Sequence, residues 1–153
     1  KELDKAIIQK NQFSKNVDYK MYLVSQFFFE AVSLQKWEED LESLNNNLEI
    51  HAGIPGLATL KTLISYARSC GIGNSIRFLS NQAMNIKKLA TTKTPDKLIA
   101  DIVDYKNSKP SSRVSKLHFY AFGGIKDTSN WLNLVSKSSL DINSNNEFQP
   151  IIN

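Results

Sequence analysis

A chain of 153 residues, 41% hydrophobic and 22% charged, is one domain long and can bury a core without disulfides or metals. A single cysteine, Cys70, excludes an internal disulfide framework or a multi-cysteine zinc site and suits a reducing, cytoplasmic setting; no apolar run approaches the roughly 18 residues of a membrane span. The net charge of +4 is carried by scattered lysines and three arginines, Arg68, Arg77 and Arg113, with no aromatic cluster beside them, so no nucleic-acid partner is expected.

In chain order, Leu3, Ala6, Ile7 and Lys10 follow a three-to-four spacing, which predicts helix from the outset. With Lys1 in first place, the chain reads as starting inside an element, as a fragment would. Residues 21–29, 48–54 and 116–122 form three short apolar runs, MYLVSQFFF, LEIHAGI and KLHFYAF. Runs this apolar predict strands covered on both faces. Each is followed by a helical pattern: Glu30–Leu44, Leu57–Arg68, and Ser129–Ser136 with Asp127 or Thr128 as its cap. Two further helices are predicted between the second and third strands. One spans Ser75–Leu89 after Gly71-Ile72-Gly73-Asn74; the other starts at Thr94-Pro95-Asp96, with Thr94 as cap and Pro95 in the first turn. A turn is expected at Lys109-Pro110-Ser111-Ser112.

Strand–helix alternation predicts an α/β fold with parallel strands and covering helices. Three strands cannot close, and the order fits the C-terminal portion of a (β/α)8 TIM barrel, whose usual length is about 250 residues. Residues 1–137 are assigned to this single barrel domain and 138–153 to a loosely held Ser/Asn-rich tail.

In such a barrel, chemistry sits at the C-terminal ends of the strands. By alternation Gln26 shares a face with Val24 and Phe28, while Ser25 and Phe27 point the other way. Its amide suits the edge of a heterocycle such as a pterin or flavin, and equally suits a neighbouring loop backbone. Tyr120 either closes a ligand pocket or fills the barrel. His51 and His118 lack a carboxylate at ligand spacing, so packed strand histidines are expected in place of a metal site. Cys70 has no base partner in sequence. The Gly71–Ser75 turn offers amides to a phosphate but lacks the context of a dinucleotide fingerprint. Gly53-Ile54-Pro55-Gly56 would let a planar ligand approach the backbone. The run Glu38-Glu39-Asp40 is read as the solvated face of its helix.

Taken together, the strand ends resemble those of the 5,10-methylenetetrahydrofolate reductase family. Ser25-Gln26-Phe27-Phe28-Phe29-Glu30 is similar to its TQFFFD segment, Glu49–Ile54 to the next strand, and Leu117-His118-Phe119-Tyr120 to its final HFYTLNR strand. The resemblance covers roughly Leu3 to Trp131. It implies a flavin barrel in which NADH or NADPH reduces FAD, and the reduced flavin passes a hydride to 5,10-methylenetetrahydrofolate. Gln26 would then hydrogen-bond the pterin of the folate substrate, with Tyr66 stacking beside it and Tyr120 lining the same pocket. Lys10, or Lys15 in a shifted alignment, would contact FAD.

The chain departs from the family after Tyr120, where Ala121-Phe122-Gly123-Gly124 replaces Thr-Leu-Asn-Arg and Lys126 is the nearest cation. The family's proton-donating glutamate and flavin-tuning aspartate belong to earlier strands and are not in this sequence. The alternative is a non-catalytic pterin- or nucleotide-binding module acting with a partner. Three strands with an uncovered face also lead to an expectation of self-association into a homo-oligomer.

Overall fold

The computed structural model describes residues 2–71, 92–138, 140–143 and 148–150. The predicted helix Ser75–Leu89 and the Ile72–Asn74 part of the glycine turn lie outside the described residues. The remaining order is α1 (Glu2–Phe13), β1 (Tyr22–Phe27), α2 (Ala31–Ser43), β2 (Glu49–Pro55), β3 (Ala58–Thr59), α3 (Leu60–Ser69), β4 (Thr92–Lys93), α4 (Asp96–Ser108), β5 (Val114–Tyr120), α5 (Ile125–Val135), β6 (Leu140–Ile142) and β7 (Phe148–Pro150). β1, β2 and β5 form one parallel sheet in that order. The protein is therefore α/β, with three parallel strands and helices laid against them.

Apolar side chains spaced for helix on one side and for strand on the other meet in a single layer. Leu23, Ile50, Ala52, Ile54 and Val114 of the sheet pack with Ala31, Leu34 and Leu41 of α2 and with Leu98 and Ile102 of α4. Ile7 of α1 and Phe119 of β5 extend this core at its margins. Leu34, Ile50 and Ile54 are completely buried, each worth about 1.5–3 kcal/mol in transfer from water.

The opposite sheet face is different. On β1 exposed and buried residues alternate, and Tyr22, Val24 and Gln26 face outward. Strands covered on both faces were expected from the apolar runs; among the described residues β1 is covered on one.

Several element ends move from their predicted places because a side chain outranks the apolar pattern. α3 starts at Leu60, since Thr59 caps it by accepting from the Thr62 N–H at 3.2 Å, and residues 58–59 first pair with 92–93. α5 starts at Ile125, and Thr128 is not its cap: Oγ1 accepts the Leu57 N–H at 3.1 Å, tying α5 to the loop after β2. Thr94 does not cap α4 but donates to Asp96 Oδ2 at 2.9 Å.

The described parts of the tail, β6 and β7, pair antiparallel. Phe148 stacks on Trp131 of α5 with ring centroids 6.4 Å apart, and its N–H donates to Asp96 Oδ2 at 2.9 Å.

Candidate functional site

The three parallel strands end at Phe27, Pro55 and Tyr120, and their ends are locked by a distortion in β1. Val24 lies opposite His51 but Phe27 lies opposite Gly53, so β1 spends one extra residue there, a β-bulge. Ser25, buried, sits in this bulge. Its Oγ accepts the Gly53 N–H at 2.7 Å and donates to the Gln26 carbonyl at 2.8 Å. From the third strand, the Tyr120 hydroxyl donates to the Ser25 carbonyl at 2.8 Å. Gly53 has no alternative at its position, because a Cβ there would stand 2.6 Å from the Gln26 carbonyl oxygen.

The alternation of faces holds through Phe27 and breaks after it. Phe27 packs against Tyr120 at 5.6 Å between centroids. Gln26 and Phe28, expected together, separate: Phe28 turns to Trp37 in the core, 6.2 Å away, and Gln26 stays exposed.

An aromatic group occupies this end of the sheet. Phe27 meets Phe29 at 5.4 Å and Phe122 at 4.8 Å, and Phe122 meets Tyr66 at 4.6 Å and Tyr120 at 6.2 Å. Phe122 holds a φ of 44°, a left-handed conformation that is unfavourable for a bulky side chain and is kept by these ring contacts. Tyr66 and Tyr120 are thus brought together through Phe122. Tyr66 is 41% exposed on α3 and Tyr120 is half-buried, so the group presents ring surface outward. Burial pushes the Tyr120 hydroxyl pKa above its ordinary value, and the nearby Cys70 thiol pushes it the same way.

Gln26 borders this group through its neighbours Ser25 and Phe27. Its Oε1 accepts the Phe27 N–H at 3.1 Å, and its Nε2 donates to no acceptor among the described residues. Lys126 is exposed in the first turn of α5.

The structure does not bring Lys10 into the group. A helix leading into a parallel strand runs back along the sheet, so its last turn comes down at the strands' N-terminal ends. There Asn11 bonds Asn46 at 2.9 Å and the Asn47 N–H at 2.7 Å, just before β2 begins. Lys10 beside it, and Lys15 in the following short 3-10 turn, are exposed a strand's length, about 17 Å, from the aromatic end.

Other sequence readings change as well. Gly53 and Gly56 admit protein backbone and not a ligand: the Gly56 N–H donates to the Tyr120 carbonyl at 2.8 Å, and a Cβ on Gly56 would stand 2.7 Å from Thr128 Oγ1. Glu38 is not on a solvated face but 1% exposed. It accepts from the Tyr105 hydroxyl at 2.6 Å, from Ser112 Oγ at 3.0 Å and from the Arg113 N–H, joining α2 to α4 and to the start of β5.

His51 stacks on Tyr22 at 3.9 Å, and desolvation, with Lys116 nearby, lowers its pKa. His118 packs edge-on to Tyr120 at 4.9 Å. Among the described residues no cluster of three or more His, Cys, Asp or Glu is placed to hold a metal ion, and no helix is long and apolar enough to cross a membrane.

Ser25, Phe27, Phe29 and Phe122 belong to the site and were not singled out from sequence. The consecutive Phe27-Phe28-Phe29 and the Phe122-Gly123-Gly124 turn were the available signals, but the break in alternation that sorts the phenylalanines has no sequence period. A comparison with protein-family models finds none that matches the chain.

Proposed function

We propose that the chain is the C-terminal portion of a (β/α)8 flavin barrel that reduces 5,10-methylenetetrahydrofolate to 5-methyltetrahydrofolate with NADH or NADPH. The observation that carries this reading is the aromatic group at the C-terminal ends of parallel strands, with Gln26 at its border and no acceptor for its Nε2 among the described residues. Planar heterocycles bind against ring faces, and one orienting amide fixes which edge they present. The architecture supports the barrel: parallel strands in sequential order, with one face under helices and the other open among the described residues, are what an arc of a (β/α)8 barrel supplies.

FAD would supply hydride chemistry, relaying a hydride from the nicotinamide to the folate. The part of this chain is placement: Tyr66, Tyr120 and Phe122 offer surface for stacking, and Gln26 donates to an acceptor edge of the pterin. The FAD contact implied for Lys10 or Lys15 is left out of the proposal, because both lysines lie at the other end of the sheet.

The test uses the protein of the complete reading frame. Its visible spectrum is recorded, NADH is added without oxygen, and 5,10-methylenetetrahydrofolate follows. A flavin band that bleaches with NADH and returns with the folate is the expected result. A colourless protein, or a flavin that NADH bleaches and the folate leaves bleached, would refute the reductase.

A further inference from the structure

We infer that Ser25 is a positioning residue for Gln26, with the Tyr120 hydroxyl as its second anchor. The inference rests on the ligand role proposed for Gln26, but its geometry stands by itself. Three strands converge on Ser25. β2 gives the Gly53 N–H to its Oγ at 2.7 Å, and β5 gives the Tyr120 hydroxyl to its carbonyl at 2.8 Å. The serine hydroxyl donates in turn, along β1, to the Gln26 carbonyl at 2.8 Å. A side-chain oxygen is thereby inserted into the β1–β2 ladder at the register shift, and the regular ladder resumes where the Phe28 N–H donates to the Gly53 carbonyl at 3.0 Å.

Two consequences follow for the ligand. The Gln26 side chain is turned so that Oε1 is taken by the Phe27 N–H at 3.1 Å and Nε2 donates to no acceptor among the described residues. The mouth therefore offers donors, and selects planar rings that present acceptors, a ring carbonyl beside an imine nitrogen, at that edge. Tyr120, whose hydroxyl is committed inside the sheet, contributes its ring to the ligand and its oxygen to the brace. Ser25 itself is 3% exposed with its hydroxyl and its carbonyl both engaged, the kind of satisfied support that separates a site from a mere set of residues.

The experiment uses the 15N-labelled chain as wild type, Ser25→Ala, Ser25→Thr and Tyr120→Phe. It follows the Gln26 side-chain amide signals and the exchange of the Gly53 amide, and the binding of 5-methyltetrahydrofolate is measured for the same variants in the protein of the complete reading frame. In Ser25→Ala the Gln26 signals should move, Gly53 exchange should quicken by about tenfold and folate binding should weaken by about tenfold, and Ser25→Thr, which keeps the hydroxyl, should restore all three. Gln26 signals that stay in place in folded Ser25→Ala, or that Ser25→Thr fails to restore, overturn the positioning role. Should Ser25→Ala not fold, Tyr120→Phe releases the other anchor, the Ser25 carbonyl, while keeping the ring; it must move the Gln26 signals, and unmoved signals overturn the role. A wild-type protein of the complete reading frame that binds no folate counts against the reductase reading, while the two amide readouts still decide the brace.

Discussion

A carboxylate as deeply buried as Glu38 is tolerated because Tyr105, Ser112 and the Arg113 N–H all donate to it. Glu38→Ala strands those donors, and urea unfolding at neutral pH should show a loss of about 3 kcal/mol, against about 0.5 kcal/mol or less for exposed Glu39→Ala. Tyr105 adds a pH dependence. Burial first, then the hydrogen bond and charge of Glu38, push its pKa from 10.0 up to about 12. The neutral phenol is therefore favoured in the folded state: its contribution is complete below pH 10.0 and is lost as the pH rises toward about 12. Stability measured along that alkaline range should fall less steeply in Tyr105→Phe than in wild type. Gln26 contributes little to stability, because its side chain is exposed. On the proposed reductase reading, Gln26→Ala in the protein of the complete reading frame should weaken folate use far more than flavin reduction by NADH, and equal loss in both half-reactions would defeat its assignment.

At the scale of elements, the alternation of apolar runs and helical stripes was legible from residues alone: β1, β2 and β5 fall where MYLVSQFFF, LEIHAGI and KLHFYAF stand. What could not be read is whatever a single polar side chain decides across the fold. Ser25 shifts the register of β1, Thr128 reaches back to Leu57, and Glu38 faces inward from an acidic run, each through a partner at least 28 positions away in sequence. The site was legible in part for the same reason. Gln26 and Tyr120 stand out at strand ends and Tyr66 enters only through the family resemblance, while the turn of Phe28 into the core, away from Gln26, is a departure that alternation does not foresee. The tail shows a related limit, for Ser/Asn-rich composition concealed Phe148, which stacks on Trp131 and binds Asp96 through its N–H. Phe148→Ala should free the β6–β7 ribbon from α5. Limited proteolysis should then trim the variant back towards Lys137 at a protease dose that leaves the wild-type tail intact.

The whole molecule has an asymmetry that a closed domain would lack. Among the described residues β1 and β5 each have one strand neighbour, and on the open face Tyr22 and Val24 are 49% and 44% exposed. Unpaired parallel edges beside exposed apolar side chains favour association, so the isolated chain should scatter light as a species heavier than 17.3 kDa. Val24→Lys places a charge on that face next to the β1 edge. In the isolated chain the lysine remains in water, so melting should change by no more than about 0.5 kcal/mol while the scattering mass falls towards the monomer. In the complete reading frame the same substitution acts on a closed barrel if the proposal is right, and the open face becomes the barrel interior. A lysine there must give up its hydration without a partner, which costs on the order of several kcal/mol. The expected pattern is one substitution with opposite consequences, improved solubility in the short chain and lost stability in the long one. A lysine equally harmless in both contexts would mean that Val24 faces solvent in the complete protein, and the binding module would then replace the barrel.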